Sequence, residues 1–363
     1  MDKGDVEVIM VKIDIISGFL GAGKTTLIKK LLQDAFKGQQ VVLIENEFGE
    51  IGIDGGFLKD AGIEIKEMNS GCICCSLVGD FGTALKEVVE KYHPDRIVIE
   101  PSGVGKLSDV IHAVENLHLE ADGEVKLNSA VTVVDVLKCK MYLKNFGEFF
   151  KNQVEAAGTI ILSRTDTKKA TPEKIEAAIE LIRELNPDAT IITTPVEDLG
   201  GQKILDTIEG MKIDLSHVEE EHDHCCDHEH HHDHDHEEHE HHHDHDHHHE
   251  HGEDCTCGCH DHDHEHGHHH ADDVFTSWGL ENVGVMKRED LQKILDDLAY
   301  GDKYGEVLRA KGMVPSEEKG VWLHFDMVPE QAEIREGAPD FTGKVCVIGA
   351  ELDEEGLKAA FNA

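Results

Sequence analysis

Basic residues are scarce in this chain. Its 363 residues hold 34 Lys and Arg against 75 Asp and Glu, a formal charge of −41. Broad binding to a nucleic-acid backbone needs clustered cations that release counterions, so that function class is excluded. The same deficit excludes docking on anionic lipid. Long apolar runs are missing as well, and none approaches the ~18–20 residues of a membrane-spanning helix. Met1 to Asp14 lacks a basic start and an apolar signal core, so a soluble cytoplasmic protein is expected.

One stretch lacks nearly everything from which a core is built. Residues 222–270 contain no Lys or Arg but hold 24 of the 29 His, 16 Asp or Glu, and five of the ten Cys: Cys225, Cys226, Cys255, Cys257 and Cys259. With almost nothing apolar to offset the entropy of ordering, it reads as a disordered His/Asp/Glu-rich insert. The expected organisation is one globular domain over 10–215, a metal-binding insert over 216–272 and a C-terminal domain over 273–363. Imidazole, thiolate and carboxylate together suit Zn²⁺, Ni²⁺, Cu²⁺ and Co²⁺ without selecting among them. The insert is therefore read as a buffer or loading arm, with Cys255-Thr256-Cys257-Gly258-Cys259-His260 its most site-like piece.

The flanking parts are patterned. Upstream, apolar runs alternate with helical periodicity, the mark of a mostly parallel sheet covered by helices, an α/β fold. Val11–Ile16, Gln40–Glu45, Asp95–Glu100, Ala130–Asp135 and Thr159–Ser163 are predicted strands. Thr25–Phe36, Leu77–His93 and Pro172–Leu185 are predicted helices, the last with Thr171 as N-cap and Pro172 at the first helical position. Downstream, a small α/β domain is expected, with helices near Glu289–Leu298 and Asp353–Phe361 and strands near Gly305–Met313, Gly320–Asp326 and Lys344–Gly349.

Gly18-Phe19-Leu20-Gly21-Ala22-Gly23-Lys24-Thr25 fits G-x-x-x-x-G-K-S/T between a predicted strand and a predicted helix. Glycine lets backbone N–H groups close around phosphate oxygens, and the helix N-terminus adds a favourable dipole. Lys24 is expected on the β- and γ-phosphates and Thr25 on Mg²⁺. Glu100-Pro101-Ser102-Gly103 follows a strand on the rim where open α/β sheets bind ligands. There Glu100 is suited to hold Mg²⁺ through water, and Gly103 to sense the γ-phosphate by its N–H. Ser163-Arg164-Thr165-Asp166 ends another strand. Asp166 can accept from guanine N1–H and N2–H, and Arg164 can lie along the base. Ser163 stands where guanine readers usually carry Asn. GTP is the expected nucleotide.

Gly71-Cys72-Ile73-Cys74-Cys75 places three thiols in four positions. In a cytosol-type chain this points to metal or redox work rather than a structural disulfide, and thiolates select Zn²⁺ or Cu⁺ over hard cations. Glu45-Asn46-Glu47-Phe48-Gly49-Glu50 directly follows a predicted strand, where nucleotide-sensing switches lie in many GTPases. If it also supplies metal ligands, nucleotide state and metal affinity become linked.

The run GFLGAGKTT, the segments ENEFGE and GCICC, and the strand end EPSG, in this order, resemble the CobW-type family of P-loop GTPases, proposed metallochaperones. Leu308-Arg309-Ala310-Lys311-Gly312 and Val347-Ile348-Gly349-Ala350-Glu351-Leu352 resemble that family's C-terminal domain. The resemblance implies phosphate and Mg²⁺ binding at Gly21, Gly23, Lys24, Thr25 and Thr26, with Glu100 the following carboxylate. It implies a C-x-C-C metal motif in Cys72, Cys74 and Cys75, with Glu45 and Glu50 joining Cys74 around a transition metal. Gln153 also fits the family pattern. The expectation is a GTP-hydrolysing metallochaperone, zinc being the first choice and cobalt or nickel compatible. Its partner would be a client metalloprotein, reached through the C-terminal domain or the switch region, and a homodimer is compatible. The alternatives are a cobalt or nickel accessory of cobalamin type, and a metal store with a regulatory nucleotide site.

Overall fold

The structure, a computed structural model, describes residues 9–45, 64–67, 78–117, 123–209, 213, 215 and 274–362. Among these, seven strands form one sheet: β1 (Ile9–Ser17), β2 (Val41–Glu45), β3 (Glu64–Glu67), β4 (Arg96–Glu100), β5 (Gly123–Asp135), β6 (Thr159–Ser163) and β7 (Thr190–Ile192). Their order is β3-β2-β4-β1-β5-β6-β7, and every pairing is parallel. Parallel strands need crossovers, and helices α1 (Lys24–Asp34), α2 (Val78–Tyr92), α3 (Leu107–Glu115), α4 (Cys139–Asn145), α5 (Gly147–Glu155), α6 (Pro172–Leu185), α7 (Val196–Leu199) and α8 (Gly201–Ile208) lie among them.

Successive strand residues serve opposite faces, so two cores form. Val42, Ile44, Ile97 and Ile99 join the core that includes α3 and α5, while Leu43, Val98, Val131 and Val133 join Leu27, Ile28 and Leu31 of α1 and Ile204 of α8. This is why the strands read as continuous apolar runs rather than alternating ones. One exception inside β1 is Asp14, fully buried where the β1–β5 register shifts. It is paired with Arg96 of β4 and accepts from Asn128 at 2.7 Å and Ser129 at 2.6 Å. Arg96 also donates to Glu209 at 2.7 Å and to Gln39 at 3.0 Å.

A second sheet is antiparallel, ordered β11-β10-β9-β12-β8 from β8 (Thr276–Val283), β9 (Glu306–Pro315), β10 (Trp322–Val328), β11 (Gln331–Gly337) and β12 (Gly343–Ala350). Helices α9 (Arg288–Tyr300) and α10 (Glu354–Phe361) cover one face through Leu291, Leu295, Leu298, Leu357 and Phe361 against Ala310, Phe325, Met327, Val345 and Val347. Leu308, Cys346, Ile348 and Phe275 instead join the core of the parallel domain. The Phe275 ring lies 5.4 Å from that of Phe146 and 5.1 Å from that of Phe149. The two sheets thus share apolar core, and both lie in one compact unit.

Two strands of this domain were not expected. Most residues of β8 and β11 are exposed or half-buried, so TSWGLENV and QAEIREG carry no continuous apolar run. Strands β3 and β7 are short edge strands and were likewise unmarked. Thr171 does take the N-cap position of α6 with Pro172 following, but its hydroxyl makes no bond to the first-turn backbone.

Candidate functional site

β1 delivers the chain to a turn that only glycine tolerates. Gly18, Gly21 and Gly23 have φ of 139°, 68° and 108°, where an L side chain is strained. At Gly18 a Cβ would also overlap the carbonyl oxygen of Val133 on β5. α1 then starts at Lys24, whose ammonium is buried and donates to the Gly18 carbonyl oxygen at 2.9 Å. The backbone is therefore wrapped around the head of Lys24 at a helix N-terminus, an arrangement made for phosphate.

Thr25 Oγ1 lies 3.4 Å and 3.5 Å from the two carboxylate oxygens of Glu100, and Lys24 Nζ lies 4.0 Å from one of them. A hydroxyl and a carboxylate converging beside the phosphate loop are the hard oxygen donors that suit Mg²⁺. Glu100 ends β4, and its direct partner in the β2 register is Glu45; Glu45 in turn pairs with Glu67 of β3. Three strands therefore end level, with Glu67, Glu45 and Glu100 in a row at their carboxyl ends. Glu45 is the one predicted transition-metal ligand among the described residues; Glu50, Cys72, Cys74 and Cys75 lie outside them, as does the His-rich insert.

Gly103 stands against the phosphate loop itself. A Cβ there would come within 2.9 Å of Leu20 N and 3.0 Å of its Cα. From the other side Gln153 of α5, fully buried, donates its amide to the carbonyl oxygens of Gly103 at 3.1 Å and Gly105 at 2.9 Å. That gives Gln153 a physical role: it pins the loop that follows Glu100.

At the end of β6, Ser163 donates to Val134 O at 3.4 Å, and Asp166 is exposed. Arg164, itself at φ 60°, is held at three points. Its Nε pairs with Asp135 at 3.0 Å, one Nη donates to Gly21 O at 3.0 Å, and the other donates to Gln331 of β11. Burial pushes the Asp135 carboxyl up, opposed by Arg164. It pushes the neighbouring Lys138 ammonium down to about 8, opposed by Asp135.

A cavity of about 480 Å³ joins these parts, and six of its fourteen lining residues come from the second sheet. Gly21, Gly23, Lys24, Thr25, Thr26, Lys29, Glu100 and Arg164 line one side; Arg309, Asp326, Val328, Gln331, Glu333 and Arg335 line the other. Ala22, Gly18, Gly103, Ser163 and Asp166 do not line it. The contribution of the antiparallel sheet, and that of Lys29, was not anticipated from sequence. The available signal was the period-two recurrence of charge at Arg309 and Lys311, at His324 and Asp326, and at Glu333 and Arg335. Such recurrence marks a polar sheet face but not what the face meets.

The profile of the "CobW/HypB/UreG, nucleotide-binding domain" family matches residues 12–193, and that of the "Cobalamin synthesis protein cobW C-terminal domain" matches residues 275–363. The zinc chaperone CobW of Sinorhizobium sp is 33% identical over 248 residues, 58% of this chain and 69% of that one. The zinc chaperone YeiR of Escherichia coli K12 is 32% identical over 168 residues, 46% of this chain and half of that one. The crystal structure of Zn(II)-bound YjiA GTPase from E. coli aligns over 98% of both chains at 20% identity, with a TM-score of 0.39. With both profiles in the order of its two sheets, the chain belongs to the CobW/HypB/UreG family of P-loop GTPases and carries the CobW C-terminal domain.

Proposed function

We propose that this protein is a GTP-hydrolysing metallochaperone that loads and releases zinc for a client metalloprotein as its nucleotide changes. The observation that carries the reading is the level ending of β3, β2 and β4 at Glu67, Glu45 and Glu100. The chain leaves β2 into Glu47 and Glu50, leaves β3 five residues before Cys72, and leaves β4 into Gly103. All three segments thus start from the carboxyl ends of neighbouring strands, and the last of these ends, Glu100, lies beside Lys24 and Thr25. Linked sites of this kind need a shared element whose state both ligands bias.

Lys24 and the loop N–H groups bind and orient the triphosphate, and Thr25 with Glu100 would hold Mg²⁺. When bound, that ion neutralises charge between the β- and γ-phosphates. Gly103, braced by Gln153, senses the γ-phosphate, and Asp166 with Arg164 favours guanine. Zinc is cargo, held by Cys72, Cys74 and Cys75 with Glu45 and Glu50, a soft-donor set of the kind zinc accepts. The names of the relatives, zinc chaperones and zinc-regulated GTPase metalloprotein activators, agree with that choice. The insert over 222–270 serves as a loading arm, binding through neutral imidazoles and so weakening through a pKa of about 6.5.

The test is a zinc titration of the full chain with GDP and with a non-hydrolysable GTP analogue, repeated on Cys74→Ser and on a 222–270 deletion. The reading expects nucleotide-dependent affinity in the parent, its loss in Cys74→Ser, and its survival in the deletion with fewer ions bound. A Cys74→Ser protein that matches the parent in both nucleotide states removes the coupled site.

A further inference from the structure

We infer that Arg309, from the antiparallel sheet, is the cation that meets the γ-phosphate during hydrolysis, an arginine finger supplied by the same chain. The inference rests on the GTPase reading above and adds the residue that completes its charge stabilisation.

Phosphate loop, Lys24 and Mg²⁺ ligands still leave the charge that spreads over the γ-phosphoryl oxygens in the transition state. Many GTPases meet it with an arginine supplied in cis or by a partner. Here Arg309 lines the same cavity as Lys24, Thr25 and Glu100. It sits on β9, the middle strand of the five, and its side chain is 17% exposed. Asp326 of β10 holds one Nη at 3.3 Å, which orients the guanidinium as a carboxylate partner should. Arg335 lines the cavity too, but it is exposed on edge strand β11, so its head is hydrated and less confined.

Arg309 shares its cavity with Lys24, Thr25 and Glu100, the groups suited to the β- and γ-phosphates and Mg²⁺, and not with Ser163 or Asp166 at the base-reading strand end. In the reaction a water oxygen bonds to the γ-phosphorus as the bond to the β–γ bridging oxygen breaks. GDP leaves with that electron pair, and the proton released goes to the phosphate or to solvent. Arg309 only donates hydrogen bonds and is not consumed.

The test uses the full chain as parent, Arg309→Gln, Arg309→Lys and Lys24→Ala. The readouts are kcat and KM for GTP, affinity for GDP, and affinity for GDP with aluminium fluoride. The expected result for Arg309→Gln is a kcat about 10²-fold lower or more, GDP affinity within about threefold of the parent, and a weakened aluminium fluoride complex. A kcat within about threefold of the parent overturns the inference. Equal losses of GDP and aluminium fluoride binding also overturn it, because they mark a general or structural role. If Arg309→Gln lowers the melting temperature, Arg309→Lys decides by the same criteria with about tenfold as its threshold, since lysine keeps the stem but not the planar fork. Turnover that ignores Lys24→Ala defeats the GTPase reading itself. Turnover that needs Lys24 but ignores Arg309 defeats this inference alone.

Discussion

Val328 of β10 and Gly21 of the phosphate loop compete for one volume: a Cβ on Gly21 would overlap Val328 Cγ1. The antiparallel sheet is therefore seated on the nucleotide loop, close enough that one methyl group on the loop disturbs both.

Gly21→Ala is accordingly expected to cost stability in two ways. The φ of 68° is strained for alanine, worth ~1–2 kcal/mol, and Val328 must move. Val328→Ala should remove the second cost and leave the first. In a double-mutant cycle read by denaturant unfolding, the pair should couple by ~0.5 kcal/mol or more. Strict additivity would mean the sheet is not seated on the loop.

Gln153→Leu should leave the carbonyl oxygens of Gly103 and Gly105 buried without their donor, at a cost of ~1–3 kcal/mol. Because the freed loop is the one beside Leu20, preference for a GTP analogue over GDP should shrink along with stability. Calorimetric titration with both nucleotides checks this. A destabilised protein with its preference intact would reduce Gln153 to a core brace.

Arg96→Leu breaks a pair whose members are 2% and 0% exposed, leaving Asp14 buried without its cation. A loss of ~3–5 kcal/mol is expected, measured as a shift in urea midpoint. Replacing both partners, Asp14→Val with Arg96→Leu, should recover much of it. If the double variant is as unstable as the single one, the cluster contributes packing geometry rather than charge compensation.

Lys138 gives a pH signature. Its ammonium titrates at about 8 in the folded protein against 10.5 for an ordinary lysine, burial being the first cause. Between these values the unfolded chain holds more protons, so this group makes stability rise with pH. The penalty is complete below pH 8 and relieved by about pH 10.5. Lys138→Met should therefore melt higher than the parent at pH 7, with a difference that narrows toward pH 10. A difference independent of pH would mean the ammonium is solvated.

Much of the nucleotide site was legible in the sequence because it is local. Strand, glycine turn, Lys24, Thr25 and helix follow one another within a few residues, and the backbone demands of that turn leave their mark as Gly18, Gly21 and Gly23. The parallel sheet was legible because burial on both faces writes each strand as an apolar run, as in VVLIE and RIVIE. Strands β8 and β11, half-exposed, wrote no such run and were missed. Gln153 was visible as a pattern but not as a mechanism, since its partners Gly103 and Gly105 lie about fifty residues away.

Local chemistry, then, is what the amino-acid order determined alone: phosphate loop, strand-end carboxylates, thiol triplet and imidazole tract each need only near neighbours. Tertiary structure decided which of these face one another. Glu45 stands beside Glu100 because parallel pairing sets the register of β2 on β4. Arg309 shares a cavity with Lys24, 285 positions upstream, because shared apolar burial of Leu308, Ile348 and Phe275 seats one sheet on the other domain. Hydrophobic burial is not directional, and no short-range pattern records which polar face it will carry across a ligand.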